Sequence, residues 1–547
     1  MLPCMKISFP SSWQPVLPVA LWLATVGNLP LWQRLVSLGE SGTQAAGLVL
    51  SLGLPVLGAV AALLFLLNWP RVFRPLASLL VVVSAFNSHF MWQYSAVIDP
   101  TMMANVVNTD VREVRDLLSW ALPLAVLGIA GPPLWWIWRR PLPVQGWWPR
   151  LGGNALGLLL GLVLALVSVL GGYQQLASLA RNHKPVRYMI NPLNSVYAMA
   201  RLGAEQLPRQ AMALEPVGED ATLVAKGDGP APLFVVVVGE TARAQNWGLN
   251  GYARDTTPAM ARWQAQGDLV NFPQVTSCGT NTQVSVPCMF SPLTREQGGD
   301  KAPTQENLLD VLQRAGLAVL WLDNQSGCKG VCARVPNDRP TPDPALCEGD
   351  ECFDEAMLKG LDERLAALDP ERRARGTVLV LHLMGSHGPA YYKRTPTERK
   401  RFQPECTSNT LSQCAPDALV NTYDNTIAYT DHVLDGTLQW LQKRAASGQA
   451  STGLIFMSDH GESLGENGLY LHGVPYAFAP EQQTRVPMVA WFSPALQQRN
   501  KLHMDCLRQR ASQPYSHDNL FHTVLGVMGV QTRAYEAGLD ALAPCVR

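Results

Sequence analysis

The sequence has no net charge and no long run of charges of one sign, since 43 Lys and Arg residues balance 43 Asp and Glu residues. Proteins that bind nucleic acid usually carry a basic face or tail, so this balance argues against nucleic acid as the main partner. The sequence also lacks cysteines in the paired C-x-x-C spacing of many zinc modules. Its 11 cysteines therefore favour another role.

The composition changes along the chain. A length of 547 residues is too great for one ordinary domain. Apolar runs dominate residues 16–173, whereas the sequence from about residue 185 onward is that of an ordinary soluble protein. Many of the 16 tryptophans lie at the ends of these runs, and indole rings favour the membrane–water interface. The sequence therefore predicts a membrane part followed by a soluble part.

Five apolar runs predict five transmembrane helices in the membrane part. They cover residues 16–26, 47–67, 76–97, 117–138 and 151–173. The first run is interrupted after residue 26 by Asn28-Leu29-Pro30, and a cleaved signal peptide is the alternative for it. Further spans that need the same orientation follow, so we interpret the first run as a spanning helix.

Arginines between the predicted spans indicate the topology. Two lie between the second and third spans, and three between the fourth and fifth: Arg71, Arg74, Arg139, Arg140 and Arg150. Short loops rich in Lys and Arg stay in the cytoplasm. With five spans, everything after about residue 174 then lies on the far side, which in a bacterium is the periplasm. We therefore expect a multi-pass protein of the bacterial inner membrane.

Ten of the cysteines fall in the soluble part. They are Cys278, Cys288, Cys328, Cys332, Cys347, Cys352, Cys406, Cys414, Cys506 and Cys545. An even number on one side of the membrane indicates disulfide bonds in an oxidising compartment. Zinc ligation by thiolates is the alternative. Pairing between sequence neighbours is one of many connectivities that these cysteines allow.

Short apolar runs rich in β-branched residues predict buried parallel strands in the soluble part. They cover residues 233–238, 317–322, 377–383 and 453–457, with helical stretches at 307–315 and 417–444. This alternation predicts an α/β domain with a mostly parallel central sheet. We divide the chain into a transmembrane domain (1–173), a bridging helix with a linker (174–232) and a soluble periplasmic domain (233–547).

Polar residues follow three of these strands. Glu240 comes after the first strand, His387 shortly after the third, and Asp459-His460 directly after the last. The carboxyl ends of parallel strands lie on one rim of a sheet, where such sheets bind ligands. Carboxylate and imidazole ligands without thiolate suit a catalytic zinc site with a position open to substrate.

One stretch, Ser277-Cys278-Gly279-Thr280-Asn281-Thr282, supplies candidate nucleophiles. A threonine hydroxyl is a weak nucleophile at neutral pH, and coordination to zinc would lower its pKa. Thr280 follows a glycine that permits close backbone approach, and a Cys278–Cys288 bond would hold the loop in place. Other hydroxyls in or beside this stretch compete for the role: Thr276, Ser277 and Thr282.

Two more residues are candidates for substrate binding. His472 lies in Leu469-Tyr470-Leu471-His472-Gly473, and Lys329 lies in a short loop between two cysteines. A lysine in such a loop could hold phosphate charge as a point cation. We expect other histidines to be structural: His89, His183, His503, His517 and His522.

The loop between the third and fourth spans carries a polar stripe. Asn105, Thr109 and Glu113 recur at every fourth residue, so a helix would align them on one face. Such a stripe beside the bilayer could bind a lipid headgroup. A solvated surface helix is the alternative.

These motifs resemble those of a known family. The stretches are FVVVVGETARAQNWGLNGYARDTTP, SCGTNTQVSVPCMFS, DNQSGCKGVCARVPN, HLMGSHGPAYYKR, NTYDNTIAYTDHVL, SDHGESLGENGLYLHG and YSHDN. They closely resemble the lipid A phosphoethanolamine transferases, which include the mobile colistin resistance enzymes and belong to the alkaline phosphatase superfamily. The resemblance covers the soluble part nearly end to end, and the five spans agree in number and order.

The resemblance implies roles for individual residues. It implies zinc bound by Glu240, Thr280, Asp459 and His460, with Thr280 as the residue that accepts phosphoethanolamine. It implies that His387 and His472 bind the phosphate of phosphoethanolamine or a second zinc. It also implies substrate contacts for Lys329, Asn105, Thr109 and Glu113. Some relatives carry Asn where Gln325 stands, so no role is carried over to Gln325. The cysteine complement is similar to that of the disulfide-rich members.

The resemblance also implies a reaction. Phosphatidylethanolamine donates phosphoethanolamine to a threonine, and a phosphate of lipid A then accepts it. The new ammonium group would lower the affinity of the cell surface for polymyxins such as colistin. We also expect membrane lipids as partners, no nucleic acid, and a monomeric protein.

Other interpretations remain open at this point. The acceptor could be a core sugar, Kdo or a periplasmic glucan, and the related glycerol-phosphate polymerases share the five spans. A sulfatase would need a C/S-x-P-x-R signature, which is absent near Thr280. A non-catalytic membrane sensor that binds lipid headgroups would have lost some of the metal ligands, whereas Glu240, Thr280, Asp459 and His460 are all present.

Overall fold

The computed structural model describes residues 11–38, 42–94, 97, 102–103, 120–173, 175–176, 179, 184–206, 214–224, 229–300, 304–348 and 351–546. The chain separates into two compact units near residue 207. The three-part division with limits at 173 and 232 stays a prediction.

The first unit contains the apolar helices. They are α1 (Val16–Thr25), α2 (Leu29–Leu38), α3 (Gly42–Leu66), α4 (Phe73–Tyr94), α5 (Ala121–Arg139) and α6 (Trp147–Gly171), followed by α7 (Leu193–Gln206). Among the described residues, five segments are long and apolar enough to cross a membrane: Ser11–Leu38, Ala45–Leu66, Phe73–Tyr94, Ala121–Arg139 and Trp147–Gly171. The prediction of five spans is confirmed.

The first span is longer than the sequence suggested. The polar interruption at Asn28-Leu29-Pro30 forms a tight turn (Val26–Asn28) that leads directly into α2. Pro30 falls in the first turn of α2, where a missing N–H removes no helical hydrogen bond. The predicted end at residue 26 was therefore too early.

Two glycines allow α3 and α6 to approach closely. A Cβ atom on Gly58 would lie 2.5 Å from the carbonyl oxygen of Gly161, and one on Gly161 would lie 2.7 Å from that of Gly58. Small residues at helix contacts are the usual means of close packing in membranes, where lipid offers no hydrophobic drive for association. Phe65 packs beside Gly157 on the same pair of helices.

A buried amide network joins the turn before α2 to the segment before α7. Asn28 Nδ2 donates to the carbonyl oxygen of Asn191 at 2.8 Å, and the Asn191 N–H donates to Asn28 Oδ1 at 2.8 Å. Asn87 on α4 donates to Asn191 Oδ1 at 3.1 Å. Buried polar groups are costly unless they are hydrogen-bonded, so this network fixes how the three segments meet.

The second unit is built on an eight-stranded sheet. The strands of this unit are β1 (Thr222–Leu223), β2 (Pro232–Gly239), β3 (Leu269–Thr276), β4 (Ala318–Asp323), β5 (Asn337–Asp338), β6 (Cys347–Glu348), β7 (Glu351–Cys352), β8 (Thr377–His382), β9 (Ser451–Ser458), β10 (Ser463–Leu464), β11 (Tyr470–Leu471), β12 (Arg485–Phe492), β13 (Tyr515–Ser516) and β14 (Val530–Gln531). Six of them are two-residue strands outside the large sheet, where β1 pairs with β14, β6 with β7 and β10 with β11. The order in the large sheet is β13-β3-β12-β9-β2-β8-β4-β5. All neighbours are parallel except β12, which is antiparallel to β3 and β9.

Helices cover both faces of this sheet. They are α8 (Pro258–Ala265), α9 (Thr282–Met289), α10 (Leu308–Arg314), α11 (Leu361–Ala366), α12 (Pro370–Arg375), α13 (Pro416–Ala446), α14 (Glu481–Thr484), α15 (Pro494–Asn500), α16 (Met504–Arg510) and α17 (Asp518–Met528). Alternate residues of β2 point to opposite faces, as the strand period of two requires. Phe234 and Val236 join the core beneath α10 and α17, whereas Val235 and Val237 join the core beneath α8 and α13.

The prediction of a mostly parallel α/β sheet is confirmed, and the four predicted strands are β2, β4, β8 and β9. The sequence did not predict β3 or β12. Five disulfide bonds join neighbouring cysteines in the soluble unit: Cys278–Cys288, Cys328–Cys332, Cys347–Cys352, Cys406–Cys414 and Cys506–Cys545.

Candidate active site

The ends of two adjacent parallel strands bring three ligand side chains together. Glu240 follows β2, and Asp459 and His460 follow β9. One carboxylate or imidazole atom from each lies within 4.8 Å of the other two, and all three residues are buried. The rim of the sheet therefore holds a carboxylate–carboxylate–imidazole group, as the strand pattern predicted.

The hydrogen bonds of His460 fix which ring nitrogen faces this group. Nδ1 lies 2.9 Å from the carbonyl oxygen of Gly461, which can only accept, so Nδ1 carries the proton. Nε2 then faces the two carboxylates, 3.6 Å from Glu240 Oε1 and 3.4 Å from Asp459 Oδ2. A neutral imidazole in this tautomer, held from behind by a backbone carbonyl, is the usual form of a metal ligand.

The electrostatics of the two carboxylates also suit a cation. Burial, and then the neighbouring Glu240 charge, raise the pKa of Asp459. Burial also acts to raise the pKa of Glu240, but the neighbouring His387 lowers it more, so the net pKa lies well below its ordinary value. Within the part of the chain that the structure describes, Asp459 Oδ2 has no hydrogen-bond partner. A divalent cation would satisfy this oxygen and offset the repulsion.

The loop at residues 277–281, here called the Thr280 loop, lies beside the group. Thr280 is only 4 % exposed. Its hydroxyl donates to the carbonyl oxygen of Val474 at 2.7 Å, and its own carbonyl oxygen accepts from the Gly473 N–H at 2.8 Å. Asn281 caps α9 by accepting from the Val284 N–H at 3.1 Å, which fixes where the loop ends.

Several contacts hold the Thr280 loop in place. The Ser277 N–H donates to the carbonyl oxygen of Thr484 at 2.8 Å, and the Tyr476 hydroxyl donates to that of Ser277 at 2.8 Å. A Cβ atom on Gly279 would lie 2.8 Å from Val284 Cγ1, so only glycine fits there. The Cys278–Cys288 disulfide closes the loop onto α9.

A second threonine contacts the ligand group directly. Thr282 Oγ1 lies 3.1 Å from Glu240 Oε2 and 3.4 Å from His460 Nε2. Thr282 was one of the competing hydroxyls in the sequence. Of the two threonines, it is therefore the hydroxyl of Thr282 that hydrogen-bonds to Glu240.

His387 and His472 line the same site. His387 Nδ1 lies 3.1 Å from Glu240 Oε1, and the His472 ring centre is 4.3 Å from that of His460. His472 Nδ1 also lies 3.4 Å from Glu462 Oε1. Glu462 is buried and accepts from the Tyr391 hydroxyl at 2.9 Å. Burial raises the pKa of Glu462 to about 8.

Lys329 connects to the site through a chain of hydrogen bonds. Its ammonium group donates to Ser326 Oγ at 2.7 Å, and Ser326 in turn contacts the side-chain oxygen of Gln325. Gln325 Nε2 then donates to Glu240 Oε2 at 3.0 Å. The Cys328–Cys332 bond closes the loop that carries Lys329. The three polar-stripe residues, Asn105, Thr109 and Glu113, lie outside the described residues.

The sequence assigned no role to Glu462 or Gln325, which the structure places in the site. Glu462 belongs to the quoted SDHGE motif, and Gln325 follows the end of β4 by two residues. Their position after strands of the parallel sheet was the available signal.

The fold and the site define a class of protein. A doubly covered, mostly parallel sheet that carries an acidic and histidine-rich rim is the soluble domain of the alkaline phosphatase and sulfatase type, and here it follows five apolar helices. A family model described as Sulfatase matches residues 232–530. A second, described as Phosphoethanolamine transferase EptA/EptB, matches residues 56–207.

Individual relatives narrow this class. Phosphoethanolamine transferase EptA of Escherichia coli (strain K12) is 40% identical over 87% of this chain and 86% of the relative. Phosphatidylethanolamine transferase Mcr-1 of Escherichia coli is 37% identical over 87% of this chain and 88% of the relative. The structure of integral membrane lipooligosaccharide phosphoethanolamine transferase A (EptA) from Neisseria meningitidis matches with a TM-score of 0.89 at 36% identity, over 98% of this chain and 99% of that one. The chain belongs to the EptA and Mcr family of phosphoethanolamine transferases.

Proposed function

We propose that this chain transfers phosphoethanolamine from phosphatidylethanolamine to a phosphate of lipid A, at the periplasmic face of the bacterial inner membrane. The observation that carries the proposal is the meeting of Glu240, Asp459 and His460 beside the Thr280 loop, in a chain that belongs to this transferase family. Five apolar helices in the same chain suit an enzyme whose donor and acceptor are both lipids.

We infer that Glu240, Thr280, Asp459 and His460 hold one zinc ion. Two observations support this assignment: Nδ1 of His460 is held by a backbone carbonyl, and Asp459 Oδ2 has no hydrogen-bond partner among the described residues. A zinc ion bound there would lower the pKa of the Thr280 hydroxyl and offset negative charge on the transferring phosphoryl group. Thr280 is the proposed nucleophile on the strength of the family resemblance and of its position in a fixed loop.

The reaction proceeds in two displacements at phosphorus. The Thr280 oxygen attacks the phosphorus of phosphatidylethanolamine, the bond to the diacylglycerol oxygen breaks, and the proton leaves with diacylglycerol. Phosphoethanolamine then remains on Thr280 as a phosphodiester. An oxygen of a lipid A phosphate attacks the same phosphorus, the bond to Thr280 breaks, and Thr280 recovers a proton from the acceptor.

The remaining residues bind the substrates. His387, His472 and Lys329 stabilise the phosphoryl oxygens, because cationic and N–H groups fixed near developing charge lower the barrier. The two histidines are also the proposed ligands of a second zinc during turnover. Asn105, Thr109 and Glu113 contact a lipid headgroup in this proposal. The product carries an added ammonium group, so cells with it should bind polymyxins such as colistin less well.

Mass spectrometry of lipid A tests the proposal. Lipid A from Escherichia coli that expresses this chain should gain the mass of one phosphoethanolamine group, and cells that express the Thr280→Ala chain at equal level should not. Unmodified lipid A in both strains would overturn the lipid A assignment. Phosphoethanolamine on a core sugar, on Kdo or on a periplasmic glucan would then identify a different acceptor for the same transferase.

A further inference from the structure

His517 lies where two parallel strands end side by side. In the sheet, β13 pairs with β3 so that Ser516 lies opposite Thr276. The next residue on one strand is His517, and the next on the other is Ser277, the first residue of the Thr280 loop. The His517 N–H donates to the carbonyl oxygen of Thr276 at 3.1 Å. The backbone thus places the imidazole of His517 against the start of the loop.

Both ring nitrogens of His517 make hydrogen bonds in the protein interior. The Cys278 N–H donates to Nδ1 at 3.1 Å, and Nε2 lies 2.9 Å from the carbonyl oxygen of Ser458. Because a backbone N–H only donates and a carbonyl only accepts, Nδ1 carries the lone pair and Nε2 the proton. The ring is completely buried, and this burial lowers the pKa of His517 to about 3.

The two residues that the ring joins belong to different parts of the site. Cys278 lies two residues before Thr280, and Ser458 is the residue immediately before Asp459. Ser458 Oγ also accepts from the Ala242 N–H at 2.9 Å and donates to the carbonyl oxygen of His460 at 3.1 Å. Ser458 is therefore tied to the strand ends that carry the predicted metal ligands.

The other contacts of the Thr280 loop join it to segments other than β9. The disulfide joins Cys278 to α9, and Arg295 Nε donates to the carbonyl oxygen of Cys278 at 3.0 Å. The backbone bonds of Ser277 and Thr280 lead to Thr484 and Gly473. The imidazole of His517 instead connects the loop to β9.

We propose that His517 is a positioning residue, which sets the distance of the Thr280 loop from the end of β9 and thereby from Asp459 and His460. The proposal rests on the proposed function, since this distance matters for the rate only if Thr280 reacts at that rim. A misplacement of about 1 Å at a reacting group can lower a rate by about 100-fold. His517 would act through the backbone of Cys278 and Ser458, without touching substrate.

Two conservative substitutions each keep one of the two bonds. In His517→Asn the side-chain oxygen stands near the former Nδ1 and can still accept from Cys278. In His517→Gln the side-chain nitrogen stands near the former Nε2 and can still donate to Ser458. Both variants break the bridge, so we expect both to lower kcat by about 10- to 100-fold with KM and zinc content close to those of the unmodified chain. Release of diacylglycerol from a fluorescent phosphatidylethanolamine gives both constants.

His522 offers a matched control. It lies on α17 one turn beyond His517, is also completely buried, and its Nδ1 accepts from the Glu536 N–H at 3.0 Å. His522→Asn and His522→Gln should lower the melting temperature about as much as the changes at His517 while kcat stays within about twofold. Equal kcat in the two pairs of variants would overturn the positioning role, because the loss would then reflect stability alone.

Hydrogen exchange tests the same contact without the reaction. In the full chain with zinc, exchange of the peptide that contains residues 277–281 should speed up in His517→Gln, which leaves the Cys278 N–H without its acceptor, but not in His517→Asn. Unchanged exchange in His517→Gln would overturn the proposal. If neither variant folds, the NMR chemical shifts of the His517 ring nitrogens in the unmodified chain provide the test. A proton on Nδ1, or a charged ring, would overturn the proposal. Failure of the unmodified chain to release diacylglycerol would instead count against the proposed function.

Discussion

The Thr282 hydroxyl hydrogen-bonds to Glu240, with Oγ1 3.1 Å from Oε2, whereas the Thr280 hydroxyl donates to the carbonyl oxygen of Val474. The two threonines therefore have separable roles in the proposed reaction. Thr282 restrains the Glu240 carboxylate, and Thr280 supplies the oxygen that attacks phosphorus.

The first prediction separates these threonines. Thr280→Ala should abolish transfer and leave no phosphoethanolamine on the protein. Thr282→Val should lower kcat by about 10- to 100-fold, because it removes one hydrogen bond to a charged group, worth about 1.5–3 kcal/mol. This variant should still form the adduct. Mass spectrometry of the intact protein after incubation with phosphatidylethanolamine detects this phosphoethanolamine adduct. An adduct in Thr280→Ala that disappears in Thr282→Val would reassign the nucleophile to Thr282.

The rim of the sheet could be predicted because backbone geometry alone determines it. Long β-branched runs identify β2, β8 and β9, and parallel pairing brings their carboxyl ends to one edge. That places Glu240 and Asp459 together without any knowledge of side-chain packing. Hydrogen-bond partners within the loops, such as Gln325 and Glu462, depend on rotamers and on contacts between distant segments, which spacing in the sequence does not encode.

Strand β12 could not be predicted for a local reason. Pro487 lies in its sequence, and proline in a run argues against a central strand because it lacks an N–H for the ladder. In the structure the pairing of β12 with β3 shifts between Val486 and Met488, so Pro487 falls at an irregularity where the ladder is already broken. Pairing with β9 involves residues from Met488 onward.

The second prediction concerns the disulfide of the Thr280 loop. Replacing both Cys278 and Cys288 with serine should lower the free energy of unfolding by about 2–4 kcal/mol. It should also lower kcat by about tenfold or more, because the loop that carries Thr280 loses its closure onto α9. Chemical denaturation and the diacylglycerol-release assay measure the two effects.

The Cys506–Cys545 bond is the control for this prediction. It closes a longer loop, with a sequence separation of 39 against 10, so removing it should destabilise the chain at least as much in the chain-entropy view. Replacing both of these cysteines with serine should leave kcat within about twofold. If the two double variants lose the same fraction of activity, the loop bond has no specific role in catalysis.

The third prediction tests the packing of α3 on α6. Gly58→Ala places a Cβ atom 2.5 Å from the carbonyl oxygen of Gly161, so the helices must separate, at a cost of about 1–3 kcal/mol. Gly128→Ala on α5 is the control, since nothing in the described part of the chain lies within 4 Å of the added Cβ. Thermal unfolding in detergent should show a lower melting temperature for the first variant and no decrease for the second. Equal melting temperatures would contradict the close contact.

The fourth prediction concerns metal removal. A chelator should abolish transfer by the unmodified chain, and added zinc should restore it. Zinc should also raise the free energy of unfolding, by about 3 kcal/mol at roughly 100 times the Kd, because it binds the folded state. Asp459→Asn should show neither the recovery of transfer nor the stabilisation by zinc. Without metal, this variant should be more stable than the unmodified chain, since it removes one of two buried carboxylates that repel each other. With zinc the order should reverse.

A second buried aspartate distinguishes this reversal from a general effect of losing a charge. Asp431 accepts from the N–H groups of Ala259 and Met260 at 2.8 and 2.9 Å, so Asp431→Asn weakens the start of α8 whether or not metal is present. Its melting temperature should fall by the same amount in zinc and in chelator. If Asp459→Asn behaves in the same way, or if transfer survives thorough zinc removal, then Asp459 is a structural residue and the carboxylate–carboxylate–imidazole group does not hold a catalytic metal.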